Sequence, residues 1–270
     1  MKTLHNHIIL YDAECPMCNL YTKAFVGSGM LDNDGRKPYQ EMLPDCPLVD
    51  RQRAVNEIAL INTQTGEVEY GVVSLFKVIA NSFPLLKGLF EWKPFIWLAQ
   101  KAYAFVSYNR RVIVPGKALD NFDEQPGFKL KYRVAYLLFT WLTVGFILTQ
   151  YTHLLAGMVP VGNAWREYAI CGGQVLFQGI AVSLYANAKK WDYLGNMMTI
   201  SFAGALLLLP GLLMAQFVEL PALVYTLYFL GVAGLMFLEH IRRSKLMGLG
   251  WVLTITWMVY RLGILLIILN

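Results

Sequence analysis

The sequence is short of charge. Only 15% of its 270 residues are Asp, Glu, Lys or Arg and 56% are hydrophobic, whereas a soluble domain carries about 25% charged residues. Residues 1–131 hold 15 Lys or Arg and 14 Asp or Glu, but residues 132–270 hold only 8 and 4. The first half therefore has the composition of a soluble domain and the second that of a membrane-embedded one. We predict domains 1–125 and 126–270, divided at the loop signal Pro126-Gly127.

Cysteine is also scarce. Four cysteines are too few for a disulfide scaffold in a chain of this length. The N-terminus lacks the apolar stretch of a signal peptide, because the apolar run 8–11 is too short. The first domain is therefore expected to stay on the side of the membrane where it is made. The net charge of +5 is not gathered in one dense basic patch, so nucleic acid is not predicted as a partner.

Long apolar runs dominate the second half. A helix needs roughly 20 mostly apolar residues to cross a bilayer. Four segments meet this requirement well, and a fifth, 168–186, is weaker because Gly and Gln interrupt it. We predict an all-α helical bundle of about five spans, whose partner is the lipid bilayer. The segments are 132–151, 168–186, 197–217, 222–238 and 249–269.

Basic residues indicate an orientation for these spans. With five crossings, eight Lys or Arg side chains fall in loops on one side and only Arg166 falls on the other. The positive-inside rule then places the N-terminal domain in the cytoplasm and Asn270 outside, in the cytoplasmic (inner) membrane. The eight residues are Lys129, Lys131, Arg133, Lys189, Lys190, Arg242, Arg243 and Lys245.

Few polar residues lie inside the apolar segments. Arg261 is near the middle of the last one, where charge is costly, so we predict a polar partner such as Gln174, Gln178 or Gln216. Gln174 and Gln178 are one helical turn apart and share a face. They either form hydrogen bonds between helices or line a small polar cavity for a quinone headgroup or a partner subunit. Cys171 is expected to pack as a small apolar residue.

The first half alternates predicted strands and helices. The order is strand, helix, strand, helix, hairpin, helix, with periodicity and turn residues as the signals. The strands are predicted at His7–Tyr11, 37–42, 57–62 and 67–70, and helices at 16–26 and 71–82.

Aromatic residues and lysines alternate over residues 85–108. One interpretation is a helix that covers the sheet. The other is an interfacial helix on the cytoplasmic leaflet, with its aromatic rings at the level of the headgroups. A helix with two faces satisfies both.

Two cysteines stand at the start of the first predicted helix, in Cys15-Pro16-Met17-Cys18. The unpaired N–H groups and the dipole of a helix N-terminus favour a thiolate, which is the nucleophilic form of cysteine. The first cysteine of such a pair is usually the more exposed, so we assign attack on a disulfide to Cys15 and resolution of the mixed disulfide to Cys18. Pro16 suits the first turn, where its missing N–H costs nothing.

Other interpretations of the pair remain open. A zinc site would require a second pair of ligands, and the sequence offers only Cys46, His5 and His7 nearby. The alternative is that the two cysteines are buried and inert. Cys46 is also a candidate third redox thiol. Redox chemistry is favoured because the pair lies between a strand and a helix, which is typical of a thioredoxin-like layout.

Asp12 and the distant segment Asn109-Arg110-Arg111 each have two interpretations. Asp12 either accepts backbone N–H groups of the turn or relays protons to Cys18. Asn109, Arg110 and Arg111 either form a charged helix end or fold back over the motif, where an arginine would lower the pKa of Cys15.

The chain resembles the DCC-type thiol–disulfide oxidoreductases over roughly residues 6–115. The resemblance rests on Tyr11-Asp12-x-x-Cys15-x-x-Cys18, on Gly71-Val-Val-Ser-Leu-Phe-Lys77, and on the segment from Tyr103 to Asn109-Arg110-Arg111. It implies a thioredoxin-like α/β domain and disulfide oxidoreductase activity. Asp12, Cys15 and Cys18 are then the candidate catalytic residues.

The leading hypothesis is a membrane-anchored cytoplasmic thiol–disulfide oxidoreductase that needs no cofactor or metal. Its partner would be an unidentified protein disulfide substrate or redox protein, with reduction favoured by the reducing cytoplasm. The alternative is a non-enzymatic subunit of a membrane complex whose thioredoxin-like domain is a docking surface. Thiol–quinone electron transfer across the helices is disfavoured within one chain, because no cysteine pair faces the far side.

Overall fold

The structure, a computed structural model, describes residues 2–42, 48–116 and 127–269. The chain divides into two compact units, Met1–Tyr132 and Arg133–Asn270. Cys46, Asn270 and the predicted division at 125/126 lie outside the described residues.

The N-terminal unit contains a mixed sheet in the order β2-β1-β3-β4. Strand β1 pairs in parallel with β2 and antiparallel with β3, and β3 pairs antiparallel with β4. The strands are β1 (His7–Tyr11), β2 (Arg36–Pro38), β3 (Ala59–Asn62) and β4 (Val68–Tyr70). The α-helices are α1 (Pro16–Gly27), α2 (Arg51–Asn56), α3 (Val72–Ser82), α4 (Lys87–Glu91), α5 (Lys93–Ser107) and α6 (Arg110–Ile113).

Both faces of this sheet are covered. Side chains of successive residues in a strand point to opposite faces, and Ile9 and Leu10 accordingly enter two different hydrophobic clusters. Ile9 is paired with Leu60 and Leu10 with Ala59, so β3 continues both clusters. Full burial of a side chain such as Ile9 contributes about 1.5–3 kcal/mol, and all four residues are at most 5% exposed.

The predicted strand His7–Tyr11 is confirmed at both ends, and the predicted helix 16–26 corresponds to α1. The predicted strand 37–42 is too long, because β2 ends at Pro38 and a 3-10 turn, Tyr39–Glu41, follows. Proline cannot donate a hydrogen bond to the next strand, which explains why the pairing stops there.

The predicted helix over 85–108 is broken in two. Trp92 is extended, with φ −73° and ψ 112°, and separates α4 from α5. Pro94 lies in the first turn of α5. A proline has no N–H and its ring clashes with the preceding turn, so one continuous helix is excluded at this point.

Helix α5 has two different faces. On one face the ring of Phe95 stacks on Phe76 of α3, with centroids 5.5 Å apart. The hydroxyl of Tyr103 accepts a hydrogen bond from the N–H of Ile58 at 2.9 Å, so the helix does cover the sheet unit as predicted. On the other face Trp97 and Leu98 are 61% and 60% exposed. Contact of this face with a membrane stays a prediction.

The C-terminal unit consists of long helices. By length and mean hydropathy, four segments in the described part of the chain are able to cross a membrane: Leu130–Leu155, Arg166–Met214, Ala222–Leu246 and Val252–Leu269. The α-helices themselves are α7 (Leu130–Thr152), α8 (Arg166–Ala186), α9 (Lys190–Met214), α10 (Ala222–Leu246) and α11 (Val252–Leu269).

The 49-residue segment Arg166–Met214 is two helices that fold back on each other. A 3-10 turn, Asn187–Lys189, separates α8 from α9. The hydroxyl of Tyr193 donates a hydrogen bond to Oε1 of Gln178 at 2.8 Å. In one straight helix, residues 15 positions apart would be about 22 Å apart. The described residues of this unit therefore form five long helices, and the weak fifth segment of the sequence corresponds to α8.

Small residues and polar bonds hold these helices together. A Cβ at Gly145 would collide with the ring of Tyr168, so glycine allows α7 and α8 to approach closely. Cys171 is buried in an apolar cluster with Val144 and Ala205, which confirms its predicted packing role. The hydrogen bond from Tyr193 confirms the predicted bonding between helices for Gln178, whereas the side-chain amide of Gln174 has no such partner in the described part of the chain.

The predicted amide partner of Arg261 is wrong. Its guanidinium lies over the ring of Trp257, 5.6 Å from the centroid. Within residues 2–42, 48–116 and 127–269, the buried Nε of Arg261 has no hydrogen-bond partner, and neither has the side-chain amide of Gln174. An aromatic face, one helical turn away on the same helix, takes the place of the predicted glutamine.

Candidate redox site

Asp12 organises the turn between β1 and α1. Its Oδ1 accepts the N–H of Glu14 at 3.0 Å and Nε2 of Gln40 at 2.9 Å. Its carbonyl oxygen accepts the N–H of Cys15 at 3.1 Å. The structure thus confirms the prediction that Asp12 binds backbone N–H groups of the turn, and it leaves the proton-relay interpretation open.

Cys15 is the N-cap residue of α1. Its Sγ accepts the backbone N–H of Cys18 at 3.4 Å, and Pro16 occupies the first turn as predicted. A side chain in this position satisfies one of the unpaired N–H groups that begin every helix. A negatively charged sulfur would also interact favourably with the positive end of the helix dipole. Neither Cys15 nor Cys18 is in a disulfide.

The two thiols differ strongly in acidity. A hydrogen bond from the Cys18 thiol, together with the Cys18 N–H and the charge of Arg110, lowers the pKa of Cys15 from 9.0 to about 6, although burial works against this. The hydrogen bond to Cys15 and burial raise the pKa of Cys18 well above its usual range. The site therefore favours a thiolate at Cys15 and a protonated thiol at Cys18 near neutral pH.

The expectation that Cys15 is the exposed cysteine is wrong. Cys15 is 1% exposed and Cys18 is 6% exposed. The segment that follows α6 returns to the cysteine turn, and a Cβ at Gly116 would collide with the carbonyl oxygen of Glu14. Nη2 of Arg111 binds Oε2 of Glu14 at 2.7 Å in the same region. This part of the chain lies 100 residues beyond the motif, so the motif alone did not reveal it.

Arg110 folds back onto the cysteine turn. Its Nη2 lies 2.8 Å from Oδ2 of Asp12, and the two side chains are 5% and 2% exposed. Arg111 lies further from the same oxygen, at 3.6 Å. Of the two interpretations of Asn109-Arg110-Arg111, the structure supports the one in which an arginine reaches the motif and lowers the pKa of Cys15.

The same arginine also binds the end of α2. Nη2 of Arg110 donates to the carbonyl oxygen of Val55 at 2.8 Å, and Nη1 donates to that of Asn56 at 3.1 Å. The last carbonyls of a helix have no partners within it, and a cation is favourable at that end. Arg110 thereby joins β1, α1 and α2 at one point.

The three segments that carry the DCC-type resemblance lie close together. Gly71 has φ +69° and ψ −143°, a conformation that is essentially restricted to glycine. A Cβ at this position would be 3.1 Å from Oε2 of Glu57 and 3.6 Å from the ring of Tyr103. Tyr103 begins the third segment, and Arg110, near its end, contacts the first segment through Asp12.

Several residues of the site were not predicted. Gln40 binds both the N–H of Ala13, at 3.1 Å, and the Asp12 carboxylate. Tyr21 lines the same pocket as Cys18, and burial raises the pKa of this tyrosine. Tyr21 was identifiable in principle, because it lies one turn after Cys18 on α1. Gln40 was not identifiable, because the sequence predicts a strand at this position, whereas β2 ends at Pro38 and Gln40 lies in the turn that follows.

In the described part of the chain, no three His, Cys, Asp or Glu side chains form a group able to hold a metal ion. Comparison with known proteins gave no matching family model, no matching curated protein and no matching solved structure.

Proposed function

We propose that the chain is a membrane-anchored thiol–disulfide oxidoreductase of the DCC type, with Cys15 and Cys18 as its redox pair and Asp12 as a positioning group. The observation that carries this proposal is the cap at α1. There the Cys15 sulfur accepts the Cys18 N–H, and its pKa is lowered to about 6. A structural cysteine has no need of such acidity, whereas a nucleophilic one does.

The architecture supports a thioredoxin-like assignment for the N-terminal unit. The described elements follow the predicted order of strand, helix, strand, helix, hairpin and helix. The redox pair lies between the first strand and the first helix, as expected for that layout. The approach of Gly71 to Tyr103 and the ion pair of Arg110 with Asp12 support the resemblance.

The reaction we propose is reduction of a protein disulfide. The Cys15 thiolate attacks one sulfur of the substrate, the substrate S–S bond breaks, and its second sulfur leaves as a thiolate that takes up a proton. Cys18 then loses its proton and attacks Sγ of Cys15, which releases the first substrate sulfur as a thiolate. The substrate gains two electrons, and the Cys15–Cys18 pair loses two and becomes a disulfide.

The burial of both sulfurs favours a second candidate, a non-enzymatic subunit whose N-terminal unit docks other membrane subunits. At 1% exposure, Cys15 is not accessible to a folded protein substrate unless the Gly116 segment moves. In this second candidate the two buried cysteines only pack in the interior and do not react. The two candidates therefore differ in whether Cys15 and Cys18 ever react.

Controlled oxidation of the full chain in membranes distinguishes them. The membranes are treated with a mild thiol oxidant, free thiols are blocked, and Cys15 and Cys18 are followed by mass spectrometry. The enzymatic proposal expects a disulfide between these two, reversed by a dithiol reductant, while Cys171 stays a thiol. If the pair stays reduced while an added control dithiol oxidises, the docking candidate replaces the enzyme.

For the membrane unit we propose five crossings of the cytoplasmic membrane, with the N-terminal unit in the cytoplasm. The support is the eight-to-one distribution of basic loop residues and the presence of five long helices. Reporter fusions after Arg111 and at Asn270 test it. The two fusions are expected on opposite sides of the membrane, and reporters on the same side would exclude an odd number of crossings.

A further inference from the structure

An apolar pocket of about 430 Å³ lies inside the N-terminal unit. Its walls come from the sheet and from α1, α3 and α5, and Cys18 borders it whereas Cys15 does not. An engineered apolar cavity of about 150 Å³ is large enough to bind benzene. The pocket beside Cys18 is therefore roughly three times the size needed for one aromatic ring.

The lining is mostly aliphatic and aromatic. It includes Leu75, Phe76, Phe95 and Tyr103, and the small side chains of Ala99 and Ala102 leave the space open along α5. Ligand pockets of about 300–1,000 Å³ with such linings bind ligands mainly by apolar contact, and a few polar groups set the orientation.

The charged residues that line the pocket already have partners of opposite charge. Asp12 pairs with Arg110 at 2.8 Å, and Glu57 pairs with Arg53 at 3.3 Å. A charged ligand would lose its hydration in this pocket and meet no unpaired opposite charge, which is costly. The lining therefore favours an uncharged occupant.

One lining residue has a polar atom without a hydrogen-bond partner. Nε of Arg110 is buried and has no hydrogen-bond partner in the described part of the chain, although both terminal nitrogens of this arginine are bonded. An unsatisfied buried donor costs about 1–3 kcal/mol. A ligand with a hydrogen-bond acceptor, such as a carbonyl oxygen, would remove that cost.

We propose that this pocket binds an uncharged, largely apolar molecule that carries a carbonyl-type acceptor, with the acceptor at Arg110 and the body between α3 and α5. The bound molecule lies beside Cys18 and does not need access to Cys15. The suggestion that this molecule is bound next to a redox-active dithiol rests on the proposed function. The binding step itself does not depend on redox activity.

Photolabelling of the full chain in detergent micelles tests the proposal. Benzophenone is uncharged and apolar, carries one carbonyl group, and forms covalent adducts on irradiation that mass spectrometry can map. 4-Benzoylbenzoate has the same photoreactive group and an added carboxylate. We expect saturable benzophenone adducts on pocket residues such as Leu75 and Phe76, and about tenfold weaker labelling there by the charged probe. Labelling of the apolar helices α7–α11 provides the internal reference for partitioning into the micelle.

Two variants locate the site. Ala99→Phe and Ala102→Phe each add a ring to the pocket wall, and each is expected to reduce labelling of Leu75 and Phe76 about tenfold. Gln100→Phe adds the same ring to an exposed position on α5 that does not line the pocket and should leave the labelling unchanged. Only variants that elute as the wild-type protein does in size exclusion are compared.

Three results would overturn the proposal. They are adducts that are not saturable, equal labelling by the two probes, and labelling that persists in both filled variants. Failure of Cys15 and Cys18 to form a disulfide would remove the proposed function and leave this result untouched, because the labelling experiment does not depend on thiol chemistry.

Discussion

The carboxylate of Asp12 and the guanidinium of Arg110 form a buried ion pair at 2.8 Å, although 98 residues separate them in the sequence. The pair joins the first turn of the N-terminal unit to the residues that follow its last long helix. Each partner has further hydrogen bonds, so neither charge is buried alone. The pair therefore couples the geometry of the cysteine turn to the position of α6.

Removal of Arg110 should destabilise the protein strongly. Arg110→Met leaves the carboxylate of Asp12 without its closest cation, and breaking a buried pair in this way costs about 3–5 kcal/mol. Arg53→Met breaks the exposed pair with Glu57 and should cost about 0–1 kcal/mol. Denaturant titration of the full chain in detergent measures both. Adding Asp12→Asn to Arg110→Met should restore part of the lost unfolding free energy, because it removes the unpaired charge. Equal destabilisation by Arg110→Met and Arg53→Met would contradict this account.

Cys15 should titrate near pH 6. The ultraviolet absorbance of thiolate should rise with a midpoint at about 6, where the pKa of Cys15 is placed by its hydrogen bonds from Cys18. Cys15→Ser should abolish this step. Cys18→Ala removes the thiol donor and should move the midpoint upward. A wild-type midpoint near 9 would show that the cap does not stabilise the thiolate.

The lowered pKa of Cys15 also predicts how the stability of the protein depends on pH. The pKa of Cys15 in the folded chain, about 6, is below its ordinary value of 9.0. The stabilisation that this group provides is thus complete above about pH 9 and is lost as the pH falls through about 6. Between these limits the difference in free energy of unfolding between wild type and Cys15→Ser should increase with pH. The pKa of Cys18 is shifted upward and affects stability in the opposite direction only above its ordinary value.

Gly71 should not tolerate a side chain. Gly71→Ala forces alanine to φ +69° and ψ −143°, which costs about 1–3 kcal/mol. Gly88→Ala is the matched control, because Gly88 lies within α4 and a Cβ there meets nothing within 4 Å. That change should be neutral or stabilise by up to about 1 kcal/mol. A similar loss of unfolding free energy in both variants would mean that the backbone conformation of Gly71 does not explain the destabilisation.

Tyr193 should stabilise the helical unit through its hydroxyl. The group bonds Gln178 of α8 at 2.8 Å and Nε2 of His240 in α10 at 3.1 Å. Tyr193→Phe keeps the ring and loses both bonds, at a cost of about 0.6–1.7 kcal/mol for bonds of this kind between membrane helices. Tyr185→Phe, on a residue that is 51% exposed, should have no measurable effect. Thermal denaturation in detergent compares them.

Local features of this fold were predictable from the sequence. The ends of β1 follow from its apolar run and from Asp12, and the start of α1 follows from Pro16. Pro94 signals the break at Trp92, but the aromatic pattern continues across it and favours a single helix. These signals all act within a few residues of the structure that they specify.

Features that depend on distant contacts were not predictable in the same way. The exposure of Cys15 depends on Gly116, whose close approach to Glu14 has no local signal. The partner of Arg261 depends on helix rotation, and the choice of Trp257 over a glutamine reflects which residues share its face. The sequence offers both Arg110 and Arg111 as candidates to reach the motif, and neither the pattern nor the resemblance gives the bond from Arg110 to Asp12.

The hydrogen bond from the Cys18 N–H to the Cys15 sulfur also allows the charge of that sulfur to be measured at a backbone amide. The N–H of Cys18 is held by this sulfur, and a hydrogen bond to an anionic acceptor is stronger than one to a neutral acceptor. Exchange of this amide with deuterium requires that the bond open. Exchange, corrected for its intrinsic pH dependence, should therefore slow as Cys15 ionises and quicken again when the sulfur enters a disulfide. A single backbone amide in the first turn of α1 thus reports the state of the thiol beside it.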